Sequence, residues 1–347
     1  MRCGDFRTTY SQDMAIFDSR VARYGLAVFL LLLVSTPWVA STYLLDVVNR
    51  TGIAIIAALG LNILTGYTGQ ISMGNAAFLA VGAYSTAYLA GTLGLPFILV
   101  IPAAGLITAL VGMVFGVPSL RLKGLYLAMA TLAAHFIIEF TIVHWESVTK
   151  GVAGISIPPA HLGKLVLAGD KGLFFLIFAL MLFLVLFATN LFRSKVGKAF
   201  IAIRDHDISA EVMGVNLFKY KLLSFGISSF YVGVAGSLLA YQARIISPEN
   251  FPITLAIDYL AMIIIGGLGS ILGSILGAIF IIGLPELLRL LATSLSGQFP
   301  ALVGLFAALK MGAFGLAIVL FLIFEPDGMA ARWRKIKSYW TLYPFSY

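Results

Sequence analysis

Cysteine and charged residues are scarce in this sequence. Its 347 residues include one cysteine, Cys3, so the chain can form no internal disulfide and no cysteine-rich metal site. Charged residues make up 11% of the chain and hydrophobic residues 60%. A soluble protein of this length could not bury so much apolar surface, whereas a lipid-facing helix bundle does not need to. The composition therefore predicts an all-α, polytopic transmembrane helix bundle.

The motifs of common catalytic and nucleotide-binding sites are also missing. The chain has no G-x-x-x-x-G-K-[ST] loop, no H-E-x-x-H helix and no G-x-S-x-G elbow. We therefore predict no catalytic residue, no metal ligand and no ATP site of that type in this chain. The net charge of +8 could suggest nucleic acid, but the basic residues lie between apolar runs and at both termini, as the positive-inside rule expects.

Long apolar runs predict about ten membrane segments. A helical span needs about 20 residues, and the apolar block 254–291 would extend ~57 Å as one helix, nearly twice a ~30 Å hydrocarbon core. Because Gly266–Ser270 interrupts this block, we predict two segments there. The other predicted spans are 24–45, taken as a retained first helix, 51–66, 72–93, 96–118, 124–145, 173–192, 221–243 and 301–324.

Clusters of arginine and lysine predict that both termini are cytoplasmic, which agrees with an even number of crossings. Residues 1–23 would form a cytoplasmic N-terminal segment, 24–324 the transmembrane domain and 325–347 a basic cytoplasmic tail. The 146–172 loop would then lie outside. Asp46 and Arg50 are expected to form a solvated pair in a short outer turn.

A polar, basic segment of about thirty residues interrupts the apolar sequence at 193–221, reading RSKVGKAFIAIRDHDISAEVMGVNLFKYK. Apolar runs flank it on both sides, and its positive excess places it in the cytoplasm. It is longer than a turn requires. A docking site for a cytoplasmic partner is one interpretation, and a solvated loop is the other.

Polar residues also occur inside the predicted spans. Polar groups and irregular backbone at membrane depth are tolerated only beside protein or a watered cavity. These residues could therefore line a translocation path, or belong to a turn with small-residue helix packing. The candidates near the second span are Asn62, Thr65, Gly66, Gln70, Ser72 and Asn75.

The break at Gly266 and Gly267 allows the same two interpretations, because Gly273 and Gly277 follow at four-residue spacing and favour helix packing. His135 and Glu139 lie four residues apart on one helical face. They could form a structural pair or a proton-sensitive element. Asp258 is a further ionisable residue within a span, and Glu139 and Asp258 are also candidates for lining the translocation path.

Four motifs in series resemble one family. They are TGYTGQISMGNAAFLAVGAY (65–84), RLKGLYLAMATLA (121–133), the segment from Gly197 to Gly214, and SPENF with IIIGGLGSILGSILGA (247–251 and 263–278). Together they are similar to the LivM-type permease subunit of branched-chain amino-acid ABC importers, over about residues 45–325.

The resemblance implies a permease of the bacterial inner membrane. It would pair with a second, related membrane subunit. Two cytoplasmic ATPase subunits, holding ATP and magnesium, would drive transport. A periplasmic or lipid-anchored binding protein would deliver the substrate. No cofactor is expected in this chain itself.

The resemblance also implies that residues 193–220 form the loop that docks into the ATPase. An amphipathic helix there would bury Ile201, Ile203 and Ile208 in a partner groove, and Arg204 and Glu211 would set the polar register. The glycine lies closer to the glutamate than in the longer family pattern. The implied coupling residues are Gly197, Arg204, Asp205, Ala210, Glu211 and Gly214.

Three alternatives remain open from the sequence. Related permeases carry urea or short amides. An ion-coupled secondary carrier would bind its coupling ion at groups such as His135 and Glu139, and would not need the segment 193–221. No particular feature favours a receptor or a channel.

Overall fold

The computed structural model describes residues 24, 33–162, 165–167, 169–295, 312, 315–316, 318–321, 323–325 and 327–342. These residues form a helix bundle with two small antiparallel pairs of strands. The helices are α1 (Thr42–Asn62), α2 (Asn75–Gly91), α3 (Phe97–Gly116), α4 (Leu125–His144), α5 (Glu146–Thr149), α6 (Asp170–Arg193), α7 (Lys195–Asp205), α8 (Asp207–Val212), α9 (Leu217–Ala243), α10 (Ile253–Gly266), α11 (Ile271–Leu295) and α12 (Met329–Leu342). The strands are β1 (Ile155–Ser156), β2 (Ala160–Leu162), β3 (Leu165–Leu167) and β4 (Ile245–Ile246).

Seven of the described helical segments are long and apolar enough to cross a membrane. They confirm the polytopic all-α bundle. They are Thr42–Tyr67, Phe97–Gly116, Leu125–His144, Asp170–Arg193, Leu217–Ala243, Pro248–Gly266 and Ile271–Leu290. Helix α2, with 17 residues, is slightly shorter. Residues 25–32 of the predicted span 24–45 and most of the predicted span 301–324 lie outside the described residues, so the total of ten stays a prediction.

Two boundaries test the sequence interpretation. The split of the apolar block 254–291 is confirmed, because α10 ends at Gly266 and α11 begins at Ile271. The prediction of an outer turn at 46–50 is wrong. Helix α1 starts at Thr42, after the Ser41 side chain caps it by accepting a hydrogen bond from Leu44 N, and it continues through these residues. Asp46 and Arg50 form an ion pair one helical turn apart, with Nε and Oδ2 separated by 2.9 Å.

Helix α9 is the centre of the bundle and packs on α1, α2 and α3. Small residues bring these helices close together, as in other membrane bundles. A Cβ atom on Gly82 of α2 would lie 2.3 Å from the carbonyl oxygen of Gly233 in α9. Two buried hydrogen bonds add to this packing: Thr86 Oγ1 donates to Ser237 Oγ over 2.7 Å, and Tyr231 OH donates to the carbonyl of Leu184 over 2.8 Å.

The two ends of the bundle differ in character. The end that carries residues 193–216 is called here the loop end. At the opposite end, the connection between α4 and α6 contains α5, the β2–β3 hairpin and strand β1. Strand β1 pairs with β4, with Ile155 opposite Ile246. This pairing ties the 146–169 segment to the connection between α9 and α10.

Candidate functional site

The segment 193–220 forms two short helices, α7 and α8, that lie against the loop end. Ser194 caps α7 by accepting a hydrogen bond from Val196 N over 3.2 Å. Gly197 is buried, and a Cβ there would lie 2.3 Å from the Cα of Phe192, so only glycine allows α7 to fold back so sharply onto α6. The segment is therefore a structured element with one face packed on its own chain.

The buried and exposed faces of α7 and α8 differ from the sequence interpretation in one respect. Ile203 was expected to enter a partner groove, but it is 4% exposed and packs on this chain. An isolated amphipathic pattern cannot say which of two neighbours receives the apolar face. The exposed apolar residues lie further along: Ile208 is 63% exposed, Val212 82% and Met213 84%.

The predicted coupling residues divide between these two faces. Gly197 and Ala210 are buried, whereas Asp205, Glu211 and Gly214 are exposed. Gly214 has a positive φ of 88°, which favours glycine at the end of α8.

Arg204 joins α7 to the bundle. Its Nη1 donates a hydrogen bond to the carbonyl of Gly66 over 3.2 Å, and Nε and Nη2 both contact Asp205 Oδ1, at 3.0 and 2.9 Å. A Cβ on Gly269 would lie 2.9 Å from Arg204 Nη1, and Gly269 has a φ of 68°, so a side chain there would be strained and crowded. Arg204 thus lies at the point where the two glycine-rich breaks of the sequence meet.

Asn62 joins those two breaks directly. It is completely buried at the end of α1, beside the π-helical turn Ile63–Tyr67. Its Nδ2 donates to the carbonyl of Ser270 over 2.9 Å and to Ser274 Oγ over 2.7 Å, and its Oδ1 accepts from Gly269 N over 2.9 Å. The amide therefore clamps α1 to the turn between α10 and α11.

The other polar candidates near Asn62 are largely enclosed. Gln70 Nε2 donates to Ser224 Oγ over 2.7 Å, and Thr65 Oγ1 donates to the carbonyl of Gln70 over 3.1 Å. Ser72 accepts from Gly74 N, and Asn75 is 2% exposed. Gln70 Oε1 and Asn75 Nδ2 are buried without a hydrogen-bond partner within the described ranges. Their role in a translocation path stays a prediction.

Gly266 and Gly267 lie between tightly packed backbones. A Cβ on Gly266 would lie 2.0 Å from the carbonyl oxygen of Gly273, and one on Gly277 would lie 1.8 Å from that of Met262. Gly267 has a φ of 120° and faces Ala330 of α12. These contacts are those of small-residue helix packing, and a path role for the two glycines stays a prediction.

Sequence reasoning missed a cluster of charges beside this junction. Asp207, the first residue of α8, contacts Lys123 Nζ at 2.5 Å and Lys221 Nζ at 3.7 Å. The hydrogen bond from Lys123 lowers the pKa of Asp207 below its ordinary value of 3.8, although burial opposes the shift. The charge cluster borders a polar cavity of about 320 Å³ that Gln70 and Arg204 also line. Lys123 lies far from Asp207 and Lys221 in the sequence, so only the tertiary fold shows that the three charges meet.

The ionisable candidates within the spans lie elsewhere. His135 and Glu139 share one face of α4 as predicted, with Nε2 and Oε2 separated by 3.7 Å. The His135 side chain is 2% exposed and that of Glu139 46%. Asp258 is half-buried in α10. Among the described residues, no group of three histidine, cysteine, aspartate or glutamate side chains could hold a metal ion.

These features define a class of protein: a multi-pass membrane helix bundle with an amphipathic helical pair bound at one end. A family model described as the permease component of the branched-chain amino acid transport system matches residues 43–323. The chain belongs to this family. It is a transport subunit rather than an enzyme, it acts with other components of a transport system, and it resides in the bacterial inner membrane.

Individual relatives agree with the family. The high-affinity branched-chain amino acid transport system permease proteins LivM of Salmonella typhimurium (strain LT2) and Escherichia coli (strain K12) are each 32% identical to it. Each comparison covers 90% of this chain and 76% of the relative. A probable branched-chain amino acid transport permease protein LivH of Methanocaldococcus jannaschii is 27% identical over 83% of this chain and 91% of that protein. No solved structure matches the chain significantly.

Proposed function

We propose that this chain is the membrane-spanning permease subunit of an ATP-binding-cassette importer that carries branched-chain amino acids into the cell. Separate ATPase subunits, which bind ATP and magnesium, dock on residues 193–220. A second, related permease completes the membrane pathway, and a periplasmic or lipid-anchored binding protein delivers the substrate. The similarity of the chain to both LivM and LivH proteins supports a pair of related permeases.

The observation that carries the proposal is the arrangement of α7 and α8. One face is held on the bundle by Phe200 and Ile203, which are 0% and 4% exposed. The other face presents Val212 and Met213, more than four-fifths exposed, next to the charged Glu211. An apolar patch with an adjacent charge at the loop end has the composition of a protein docking surface.

The inner contacts offer a route by which docking could move the membrane helices. Arg204 contacts the end of the α1 segment at Gly66 and lies against the α10–α11 turn at Gly269. Asp207 contacts Lys123, which precedes α4. A displacement of α7 and α8 therefore acts on three helical connections, and an ATP-driven movement of the ATPases would bias which side of the pathway is open.

The substrate assignment rests on the family and on the polar groups of the chain. A zwitterionic amino acid needs hydrogen-bond donors and acceptors along its path but no fixed charges. Gln70 Oε1 and Asn75 Nδ2 are buried groups with unused hydrogen-bonding capacity in the described part of the chain. They could contact a passing substrate when the pathway opens. The comparisons do not favour urea, short amides or ion coupling over branched-chain amino acids.

Co-purification tests the docking surface. The tagged chain is expressed with its ATPase and second permease subunits, extracted in mild detergent and identified with its partners by mass spectrometry. We expect Val212→Asp to lose the ATPase while keeping the second permease. Burial of a side chain of this size contributes about 1.5–3 kcal/mol, and a charge there would be desolvated. Val152→Asp, at a position 64% exposed at the opposite end, is the matched control and should retain both partners.

Two outcomes would contradict the proposal. Wild-type chain that is well folded but recovers no ATPase would indicate a carrier that works alone. Retention of the ATPase by Val212→Asp would place the docking surface elsewhere. Uptake of labelled leucine and labelled urea by cells carrying the complete system then separates the two substrate classes, and leucine uptake is the expected result.

A further inference from the structure

The last helix, α12, forms a groove with the membrane-spanning helices. The groove has a volume of about 480 Å³, within the ~300–1,000 Å³ range of small-molecule sites. Leu276, Phe321 and Phe324 line its inner side, and Arg332, Trp333 and Ile336 of α12 line its outer side. It is thus mainly apolar, and its two charged lining residues, Arg332 and Glu325, pair with each other.

Close packing holds α12 at the loop end. Gly328, just before α12, has a φ of 76°, and a Cβ there would lie 2.6 Å from the Cα of Gly267 in the α10–α11 turn. Ala330 and Ala331 are 1% and 6% exposed. Arg332 also forms an ion pair with Glu325. The beginning of α12 therefore lies against the end of the membrane bundle and does not project away from it.

The inner side of the groove lies along the membrane-spanning helix α11. Leu276 lies five residues inside α11, which is about 8 Å along the helix axis from its first residue. Phe321 and Phe324 lie at the end of the last apolar run of the chain, and Phe324 is 71% exposed. A soluble protein docked at the loop end would not reach these side chains, whereas a lipid acyl chain would.

The outer side of the groove has the composition of an interfacial helix. The sequence of α12 contains Arg332, Arg334, Lys335 and Lys337 and no acidic residue. Its large apolar side chains are exposed, with Trp333 at 55%, Ile336 at 45% and Tyr339 at 59%. Basic helices with exposed aromatic and aliphatic residues bind at membrane surfaces that carry anionic lipid, and basic pockets between spanning helices bind lipid headgroups.

We propose that this groove binds an anionic phospholipid. One acyl chain lies along Leu276, Phe321 and Phe324, and Trp333 and Ile336 cover it. The headgroup phosphate lies near the basic residues of α12 other than Arg332, whose charge Glu325 already balances. The bound lipid would fill the space between the last span and α12 and would fix the orientation of this helix on the membrane.

Native mass spectrometry of the full-length chain tests the proposal directly. The purified protein is incubated in mild detergent with phosphatidylglycerol or with phosphatidylcholine, and retained lipid is counted. We expect the wild type to retain one phosphatidylglycerol in preference to phosphatidylcholine. Neutralising three cations of α12 (Arg334→Gln, Lys335→Gln and Lys337→Gln together) should weaken phosphatidylglycerol binding by roughly a hundred-fold, at about five-fold for each basic residue near an anionic lipid.

Two further variants distinguish lipid binding in the groove from a general effect of positive charge. The triple variant Lys195→Gln, Lys198→Gln and Lys219→Gln removes the same charge from exposed positions of the 193–220 segment, and it should retain phosphatidylglycerol as the wild type does. Ile336→Asp alters the apolar side of the groove and should lower retention of both lipids.

Each of the following results would overturn the proposal. The wild type could retain the two lipids equally, or the 193–220 control could lose as much lipid as the α12 variant. Millimolar inorganic phosphate could displace the lipid, which would show a site for phosphate alone. Finally, the α12 variant could keep its lipid and instead lose a co-purified ATPase, which would assign this face to a protein partner.

Discussion

The clearest quantitative test concerns the charge cluster of Asp207. Its two cationic partners differ in exposure, because the Lys221 side chain is 9% exposed and that of Lys123 is 66% exposed. The closer contact, 2.5 Å, is with the exposed Lys123. Burial, and not distance, should decide which partner matters for stability, since an exposed cation without its partner returns to water.

The magnitudes follow from that difference. Removing one partner of a fully buried ion pair costs about 3–5 kcal/mol, and an exposed pair is worth at most about 1 kcal/mol. Asp207 is 21% exposed, so we expect an intermediate loss of about 1–2 kcal/mol in the free energy of unfolding for Asp207→Asn. Lys123→Met should cost less than about 1 kcal/mol.

The assay is unfolding of the purified chain in detergent with increasing denaturant, followed for single and double variants. Adding Lys221→Met to Asp207→Asn removes the uncompensated buried cation, so the double variant should be more stable than the sum of the two single losses implies. Strict additivity, or a larger loss for Lys123→Met than for Asp207→Asn, would refute the argument from burial.

Three other predictions concern packing, the buried amide and pH. Gly82→Ala should destabilise the chain by more than about 1 kcal/mol, because the new Cβ would lie 2.3 Å from backbone. Gly91→Ala, at the open end of the same helix, should be tolerated. Thermal unfolding of the two variants compares their stabilities. Asn62→Ala removes three buried hydrogen bonds and should lower the free energy of unfolding by roughly 2 kcal/mol, at about 0.6 kcal/mol for each bond. The control Asn49→Ala removes one hydrogen bond and should cost about a third as much in the same unfolding assay. The pKa of Asp207 is lowered in the folded protein, so its contribution to the free energy of unfolding is complete above its ordinary value of 3.8. That contribution is lost only as the pH falls through the lower pKa of the folded protein. The stability difference between wild type and Asp207→Asn should therefore be constant from pH 5 to pH 8.

Much of the fold could be predicted because membrane helices follow simple rules of length. The apolar block 254–291 was too long for one crossing, and the glycines at its centre marked the break that the structure shows. The turn at 46–50 was wrong for an opposite reason. Asp46 and Arg50 looked like loop residues, but an ion pair one turn apart is also compatible with a helix end, and Ser41 supplies the cap that starts the helix earlier.

The candidate site was harder to predict than the fold. The sequence identifies residues 193–220 as polar, and the resemblance indicates which of them matter. It could not show that Ile203 faces its own bundle, because an amphipathic helix presents its apolar face equally well to either neighbour. Nor could it show that Asp207 meets Lys123 and Lys221, because ion pairs that are not within a single helix leave no periodic pattern in the sequence.

The interlocked packing of α9 has a consequence for how this protein can move. Several backbones touch it so closely that adding a single carbon atom, at Gly82 or Gly236, would bring atoms within about 2.3 Å of each other. Helices in such contact cannot slide past one another by a side-chain width without separating first. A transport movement should therefore take place outside this group of helices, which we expect to move together as one rigid unit.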